Sequence, residues 1–188
     1  SGFINDLGYE MYHKILDEAV QELKEKEFRA LFEHDLQQVA ENLKIDCSIE
    51  TDLRVLIPET YVQNISERLS IYTQLDEIEE EDKLQTFIKE LEDRFGKLPV
   101  EVEDMVELVK CRWKAQQLGI EKILLKNNNL KLYFVNSEAQ NVQLVGKIVQ
   151  FVQNKKGLCQ LREKAGNLIL QVDKISSIKD LESILIDI

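Results

Sequence analysis

The sequence is poor in the residues from which compact chemical sites are built. Among its 188 residues are three cysteines and two histidines. Cys47, Cys111 and Cys159 are widely separated and odd in number, which excludes reading a disulfide framework or a Cys-x-x-Cys metal site from them; they read as reduced, packed thiols of a cytosolic protein. His13 and His34 lack the spacing of a metal-binding pair and read as surface or boundary residues. There is no GxxxxGK[ST] loop, no GxGxxG after a strand and no GxSxG elbow, so no nucleotide site is legible. Basic residues are also short: 24 Lys and Arg against 35 Asp and Glu leave a net charge of -11. That balance argues against a chain whose main task is gripping phosphate backbones and favours basic protein partners. No apolar run is long enough to span a bilayer, and the start "SGFINDLGYE" has neither the basic nor the apolar region of a signal peptide. So abrupt a start predicts a piece of a longer chain.

What is present is a hydrophobic content of 44%, enough for one domain with a real core, or one domain with an attached segment. From about 9 to 43, apolar residues such as Met11, Ile15, Ala19, Leu23, Leu31, Leu36 and Val39 recur at helical spacing, uninterrupted by Gly or Pro. Ile49, Leu53, Val55 and Ile57 then alternate, predicting one extended strand closed by Pro58. Pro58 suits the first turn of a helix, carried on by Tyr61, Ile65, Leu69 and Tyr72. Leu84, Phe87, Ile88, Leu91 and Phe95 mark a second helix, capped by Gly96 with Pro99 beyond. A third runs from Pro99 through Val102, Met105, Val106, Val109, Trp113 and Leu118 to Gly119. Residues 58–118 therefore read as a three-helix unit.

After Gly119 the character changes. "IEKILLKNNNLKLYFV" alternates around an Asn-rich turn, a hairpin signal, and "SEAQNVQLVGKIVQFV" returns to helical spacing. "GLCQLREKAGNLILQV", with a turn at Gly166 and Asn167, and "SSIKDLESILI", with Ser177 and Asp180 at capping-box spacing, resume the same order. An offset of 38 matches Gly119 with Gly157, Lys126 with Lys164, Asn129 with Asn167, Leu130 with Leu168 and Leu132 with Leu170. The tail reads as ββαββα, either a true repeat or two similar hairpins in one sheet. The fold class expected is α+β: N-terminal helices and one strand, a three-helix unit, then ββαββα with a small, mainly antiparallel sheet.

The acidic run "DEIEEED" reads as the start of a helix, its charge matching the helix dipole, rather than as a calcium loop, which needs a Gly at its sharp turn. Lys155 and Lys156 form no long basic stripe, and of Tyr133 and Phe134 in a strand one should face the core. In "KELEDRFGKLP", Glu90, Asp93 and Arg94 share a sector apart from Phe87, Ile88, Leu91 and Phe95. Two readings stand for that charged set: a solvated face with a Glu90 to Arg94 pair, or a contact with another body.

"LIPETYVQNISERLSIY", "KELEDRFGKLP" and "AQQLGI", in this order and spacing, resemble the C-terminal domains of the bacterial transcription-repair coupling factors (Mfd), and "SGFINDLGYEMYHKILDEAVQELK" resembles the end of their translocase motor. The resemblance covers 1–120 by motif and the tail by architecture. It implies a division into 1–45, a trailing helical segment of the motor, and 46–188, a regulatory domain with a helical unit over about 58–118 and the ββαββα unit over about 119–188. It implies a bacterial, cytoplasmic parent protein, an ATP-driven DNA translocase that removes stalled RNA polymerase and recruits UvrA for nucleotide excision repair. ATP and magnesium would belong to that parent's motor domains, with no cofactor, metal or catalytic residue in this stretch. The domain itself would dock on the parent's UvrB-like module and mask the UvrA-binding surface, an autoinhibitory role. Glu90, Asp93 and Arg94 of the ELxDRFG motif would carry the charged contact. The alternative is an accessory DNA-binding domain of the translocase. The family pattern has a Pro and an acidic residue where Gln63 and Asn64 stand here.

Overall fold

A strand that alternates apolar and polar residues buries one face only, and four segments after Gly119 do so together. In the computed structural model, which describes residues 47–135, 141–155, 157–164 and 167–188 with 8, 11, 14 and 15, they are β2 (Ile120–Lys126), β3 (Asn129–Phe134), β4 (Cys159–Lys164) and β5 (Asn167–Asp173). The strand β1 (Ser48–Thr51) completes the sheet, whose order is β1-β2-β3-β5-β4. All pairings are antiparallel except that of β1 with β2. Between β1 and β2 lie α1 (Ile65–Asp76), α2 (Glu81–Phe95) and α3 (Val100–Gln117); α4 (Asn141–Asn154) and α5 (Ile178–Asp187) follow the two hairpins. This is the α+β class expected. The helices foreseen over 9–43, with His13 and His34, fall almost wholly outside the described residues; Met11, Lys14 and Ile15 are helical.

Ile123, Leu125, Leu130, Leu132, Phe134, Leu170 and Val172 point to the buried side of the sheet. They share one continuous core with Val102, Met105, Val106 and Val109 of α3 and Ile178, Leu181, Ile184 and Leu185 of α5. The helix α3 packs on both β2 and α5, and buries residues around much of its circumference. Of the two neighbouring aromatics of β3, Phe134 is in the core and Tyr133 on the other face, as alternation requires. Cys47, Cys111 and Cys159 are buried and not joined in disulfides, and burial pushes the Cys111 thiol up to about 12. Such thiols are packing groups, not nucleophiles.

The two hairpins repeat in register as well as in sequence. Ile123 faces Leu132 and Lys126 faces Asn129 in the first; Leu161 faces Leu170 and Lys164 faces Asn167 in the second, each 38 positions on. Between the hairpins, Leu132 faces Leu170, its own counterpart. In an antiparallel pair, counterparts meet only on a two-fold axis, so a local two-fold passes between these leucines. Gly119 and Gly157 begin the two units with φ of 68° and 88°, values that favour glycine. Asn127 and Asn128, at φ 53° and 56°, make the two-residue turn of the first hairpin. The turn expected at Gly166 lies outside the described residues, and Asn167 opens β5.

Two boundaries differ from expectation. The first strand ends at Thr51, not at Ile57. Asp52 N–H makes the last bond to β2, at Leu125 O; thereafter Thr51 Oγ1 takes Leu53 N–H and the Tyr72 hydroxyl takes Ile57 N–H, at 2.9 Å. Leu53, Val55 and Ile57 remain buried or half-buried without pairing as a strand. Pro58 starts a single turn, accepting from Tyr61 and Val62, and the helix begins only at Ile65. Asn64 caps it by accepting from Glu67 N–H at 3.1 Å, so the amide does what an acidic residue would do there. The buried stripe of α1 is Arg68, Ile71, Tyr72 and Leu75; Ile65 is exposed and Leu69 half-buried. At α5 the expected cap is present: Ser177 Oγ accepts from Asp180 N–H, while the Asp180 carboxylate accepts from Ser176 N–H.

Glu50 holds the parallel edge electrostatically, its oxygens 2.5 Å from Lys122 Nζ and 2.9 Å from Lys126 Nζ. The bonds to Lys122 and then Lys126 outweigh burial and bring its carboxyl down to about 2. A depressed carboxyl stabilises the fold above its ordinary titration range, and that contribution is lost as pH falls toward 2. Glu50→Gln should therefore lower stability at neutral pH by about 0.5–1 kcal/mol, the range for exposed pairs. The deficit should shrink through the acid range and vanish near pH 2; urea unfolding of both proteins across that range measures it.

Candidate functional site

The helix α2 is amphipathic, and its inner side is satisfied by Leu84, Phe87 and Leu91, with Ile88 and Phe95 half-buried. Glu81 and Asp82 lie in its first turn, where negative charge suits the dipole. The acidic run does not begin a helix as a whole: Asp76 ends α1, Glu77 to Glu80 connect the two helices and only Glu81 and Asp82 open α2, with three of the acids in ion pairs. Asp76 is 2.8 Å from Arg112 of α3, Glu80 is 2.8 Å from Lys83, and Glu81 is 3.5 Å from Lys110. The Asp76 and Arg112 side chains are 20% and 11% exposed, so this pair binds the end of α1 to α3 in a largely desolvated place.

At the far end, α2 is held by the turn that precedes α1. The Tyr61 hydroxyl donates to Gly96 O at 2.9 Å, a carbonyl just past the helix end, and lies 3.3 Å from Leu91 O. Its ring meets Phe95 at 5.6 Å between centroids. The turn is itself pinned by Arg68, buried at 4% exposure, whose Nη1 donates to Val62 O at 2.7 Å and Gln63 O at 3.2 Å. The exposed side of α2 is thereby fixed relative to α1.

That exposed side carries Glu90, Asp93 and Arg94, the residues singled out in the sequence. The structure brings all three to one solvent-facing ridge. Glu90 and Asp93 make no hydrogen bond or ion pair with any described residue, and the Glu90 to Arg94 pair of the solvated-face reading is not formed. Arg94 turns instead to α1, where Nη2 meets Glu67 Oε1, and its guanidinium sits 4.8 Å from the centre of the Phe95 ring. It remains 51% exposed. A shallow groove beside the ridge, between α1 and α2, is lined by Gln74, Ile78, Asp82, Phe87 and Glu90; a second hollow holds Asn64, Ser66, Glu67, Ser70 and Arg94. The arrangement is suited to contact rather than to chemistry: charged tips on a rigid helix, with an apolar floor at Ile78 and Phe87.

Glu67 and Tyr61 were not singled out in the sequence. Glu67 stands at capping-box spacing from Asn64, a local signal, but its partner Arg94 lies 27 residues on, which no local pattern reveals. Elsewhere, Lys155 pairs with Asp187 at 2.8 Å and covers Phe151, tying α4 to α5; Lys156 is not among the described residues. Register places Lys122 beside Tyr133, and Ile169 between Tyr133 and Arg162, on the sheet face opposite the core, with Lys131 on the same face.

A profile of the TRCF domain matches residues 51–145. The chain is similar to the transcription-repair-coupling factor of Rickettsia conorii, 27% identical over 93% of this chain and 14% of that protein. It is 32% identical to the Staphylococcus haemolyticus protein of the same name over 70% of this chain and 10% of that protein, and 29% identical to the Escherichia coli one over 65% and 10%. The chain thus spans a small part of the relatives it matches. Its fold is similar to the crystal structure of a C-terminal domain of transcription-repair coupling factor, with a TM-score of 0.62 and 19% identity over 76% of this chain and 89% of that one.

The ridge depends on how α2 ends. Gly96 has φ 87° and ψ -170°, a backbone region essentially restricted to glycine, and open space where a Cβ would stand. Gly96→Ala should cost about 1–2 kcal/mol through backbone strain alone, and Tyr61→Phe about 1 kcal/mol through the lost bond to Gly96 O. Both costs are expected as lower urea midpoints with an unchanged denaturant slope.

Proposed function

We propose a function from one premise: the chain belongs to the TRCF domain family. It acts, on this reading, as a non-catalytic interaction domain within a transcription-repair coupling factor. Through the α2 ridge it docks on the parent protein's UvrB-like module, masking the surface that UvrA recognises until RNA polymerase has been engaged. The parent protein is then an ATP-driven DNA translocase of transcription-coupled excision repair, and this domain its autoinhibitory latch.

The observation that carries the proposal is that Glu90 and Asp93 project from a rigid helix without partners among the described residues, while Arg94 keeps half its surface exposed. Arg94 has an internal partner in Glu67, but nothing in the packing of α2 requires the charges of Glu90 and Asp93: Leu84, Phe87 and Leu91 provide its burial and Gly96 its end. Charges held in fixed geometry select a partner and speed encounter more than they add affinity, which suits a contact that must later open. The neighbouring apolar floor at Ile78 and Phe87 offers the partner a place for a side chain beside the charges.

A second reading, an accessory DNA contact, is favoured by the cluster of Lys122, Lys131, Tyr133 and Arg162 on one sheet face. Glu50 already neutralises part of it through Lys122 and Lys126.

Two measurements decide between them. Titrating the isolated UvrB-like module with this chain and with a Glu90→Ala, Asp93→Ala, Arg94→Ala variant should show the variant at least tenfold weaker, a loss of about 1.4 kcal/mol. Equal binding by both, or no binding by either, removes the ridge as a latch. Titrating a labelled duplex at 50 and 200 mM salt should show no binding; a steeply salt-dependent affinity would favour the DNA reading instead.

A further inference from the structure

Arg94 meets its internal partner on a different helix, and that partner has a second place to go. Asn64, Ile65, Ser66 and Glu67 stand at capping-box spacing, and Asn64 Oδ1 already accepts from Glu67 N–H. In the reciprocal half of a capping box, the glutamate carboxylate returns to the N-cap backbone N–H. Here that half is not made, because the Glu67 carboxylate is turned across the α1 and α2 seam to Arg94. Arg94 in turn offers a single nitrogen to Glu67, by Nη2, and lays its face on Phe95. A guanidinium has five N–H donors in a planar fork, so most of its binding capacity points elsewhere.

We propose that Glu67 is a built-in competitor for Arg94, so that the ion pair between them belongs to the undocked state and is exchanged on docking. A carboxylate on the partner takes the Arg94 fork, and Glu67 swings to Asn64 N–H, completing the capping box. The inference rests on the docking role of the ridge and adds what governs its strength. Both exchanges are cheap. An exposed ion pair such as this one, 51% and 35% exposed at its two side chains, shifts an equilibrium constant by only about fivefold at most. Glu67 keeps favourable surroundings in either position, since it lies in the first turn of α1 where the dipole favours a carboxylate. The partner gains the stronger, two-pronged geometry that the single Nη2 contact does not use. The result is a latch whose affinity is held down from within, and which springs back to a ready internal contact when the partner leaves.

The test is the affinity of this chain for the isolated UvrB-like module. Glu67→Gln keeps the length of the side chain and removes its charge, and should tighten binding by roughly two- to fivefold, the range an exposed pair can supply. Glu67→Asp, which keeps the charge but is a methylene shorter, should tighten binding in the same direction and guards against a folding defect in the first variant. In an Arg94→Ala background, Glu67→Gln should have no effect, because the competition has lost its object. Unchanged or weaker binding on Glu67→Gln in the otherwise native chain overturns the proposal, as does an equal gain with Arg94 removed. If the native chain binds and the triple alanine variant does not, while Glu67→Gln changes nothing, the docking reading stands and only the competitor falls. If the native chain does not bind at all, both fall together.

Discussion

The arrangement depends on one parallel pairing. Ser48–Thr51 lies alongside Lys122–Leu125, and two parallel neighbours cannot be joined by a tight turn. The chain must leave one end of the sheet and return to the other, and everything from Asp52 to Gly119 is that return path. The three helices are therefore not an independent unit set beside the sheet. They are its crossover, tied down at one side by β1 and at the other by β2, with α3 packed directly on β2. Glu50, between Lys122 and Lys126, secures the short strand against slipping, which four residues of ladder would do poorly by themselves.

Within that crossover, α2 is the helix farthest from the sheet by connectivity, and it is fixed by charged and hydroxyl side chains as much as by apolar ones. Asp76 and Arg112 join α1 to α3, Arg68 gathers the carbonyls before α1, and Tyr61 closes the end of α2. A polar group withdrawn from water is costly to leave unpaired, so each of these contacts specifies one position of the helices rather than merely favouring a compact one. Rigidity of this kind lets three exposed charges act as a pattern instead of as separate flexible tips.

Much of this was legible in the residues. The strands β2 to β5 follow alternation, and α2 and α3 follow apolar spacing between Gly and Pro, because in those segments burial and backbone pairing coincide. They part company after Thr51. Leu53, Val55 and Ile57 keep the alternation of a strand, while the N–H of Leu53 goes to the Thr51 side chain, that of Val55 to Leu53 O and that of Ile57 to the Tyr72 hydroxyl, so periodicity there reported burial and not pairing. Arg68 was hidden for the opposite reason: it occupies the buried stripe of α1, where a pattern of apolar letters has no place for a guanidinium that lays its stem inward and serves two carbonyls. The ridge itself was legible as a separate charged sector. The Glu67 contact was not, since it joins residues on two helices whose packing no local spacing encodes.

The meeting of Leu132 with Leu170 has an implication for how such a sheet arises. Two chains that each carried only a hairpin and a helix, facing one another across that axis, would present the same patch to each other and form an isologous pair. Joined end to end, they no longer need to find each other, and their assembly stops depending on concentration. What the fused form adds is inequality. The outer edge of the first half is claimed by β1, while that of the second, β4, pairs among the described residues only with β5 and carries the adjacent charges Arg162 and Glu163, of the kind that discourage further strands. A symmetric pair would have two equivalent ends; in this chain one of them carries the crossover, and with it the ridge, while the other ends at β4.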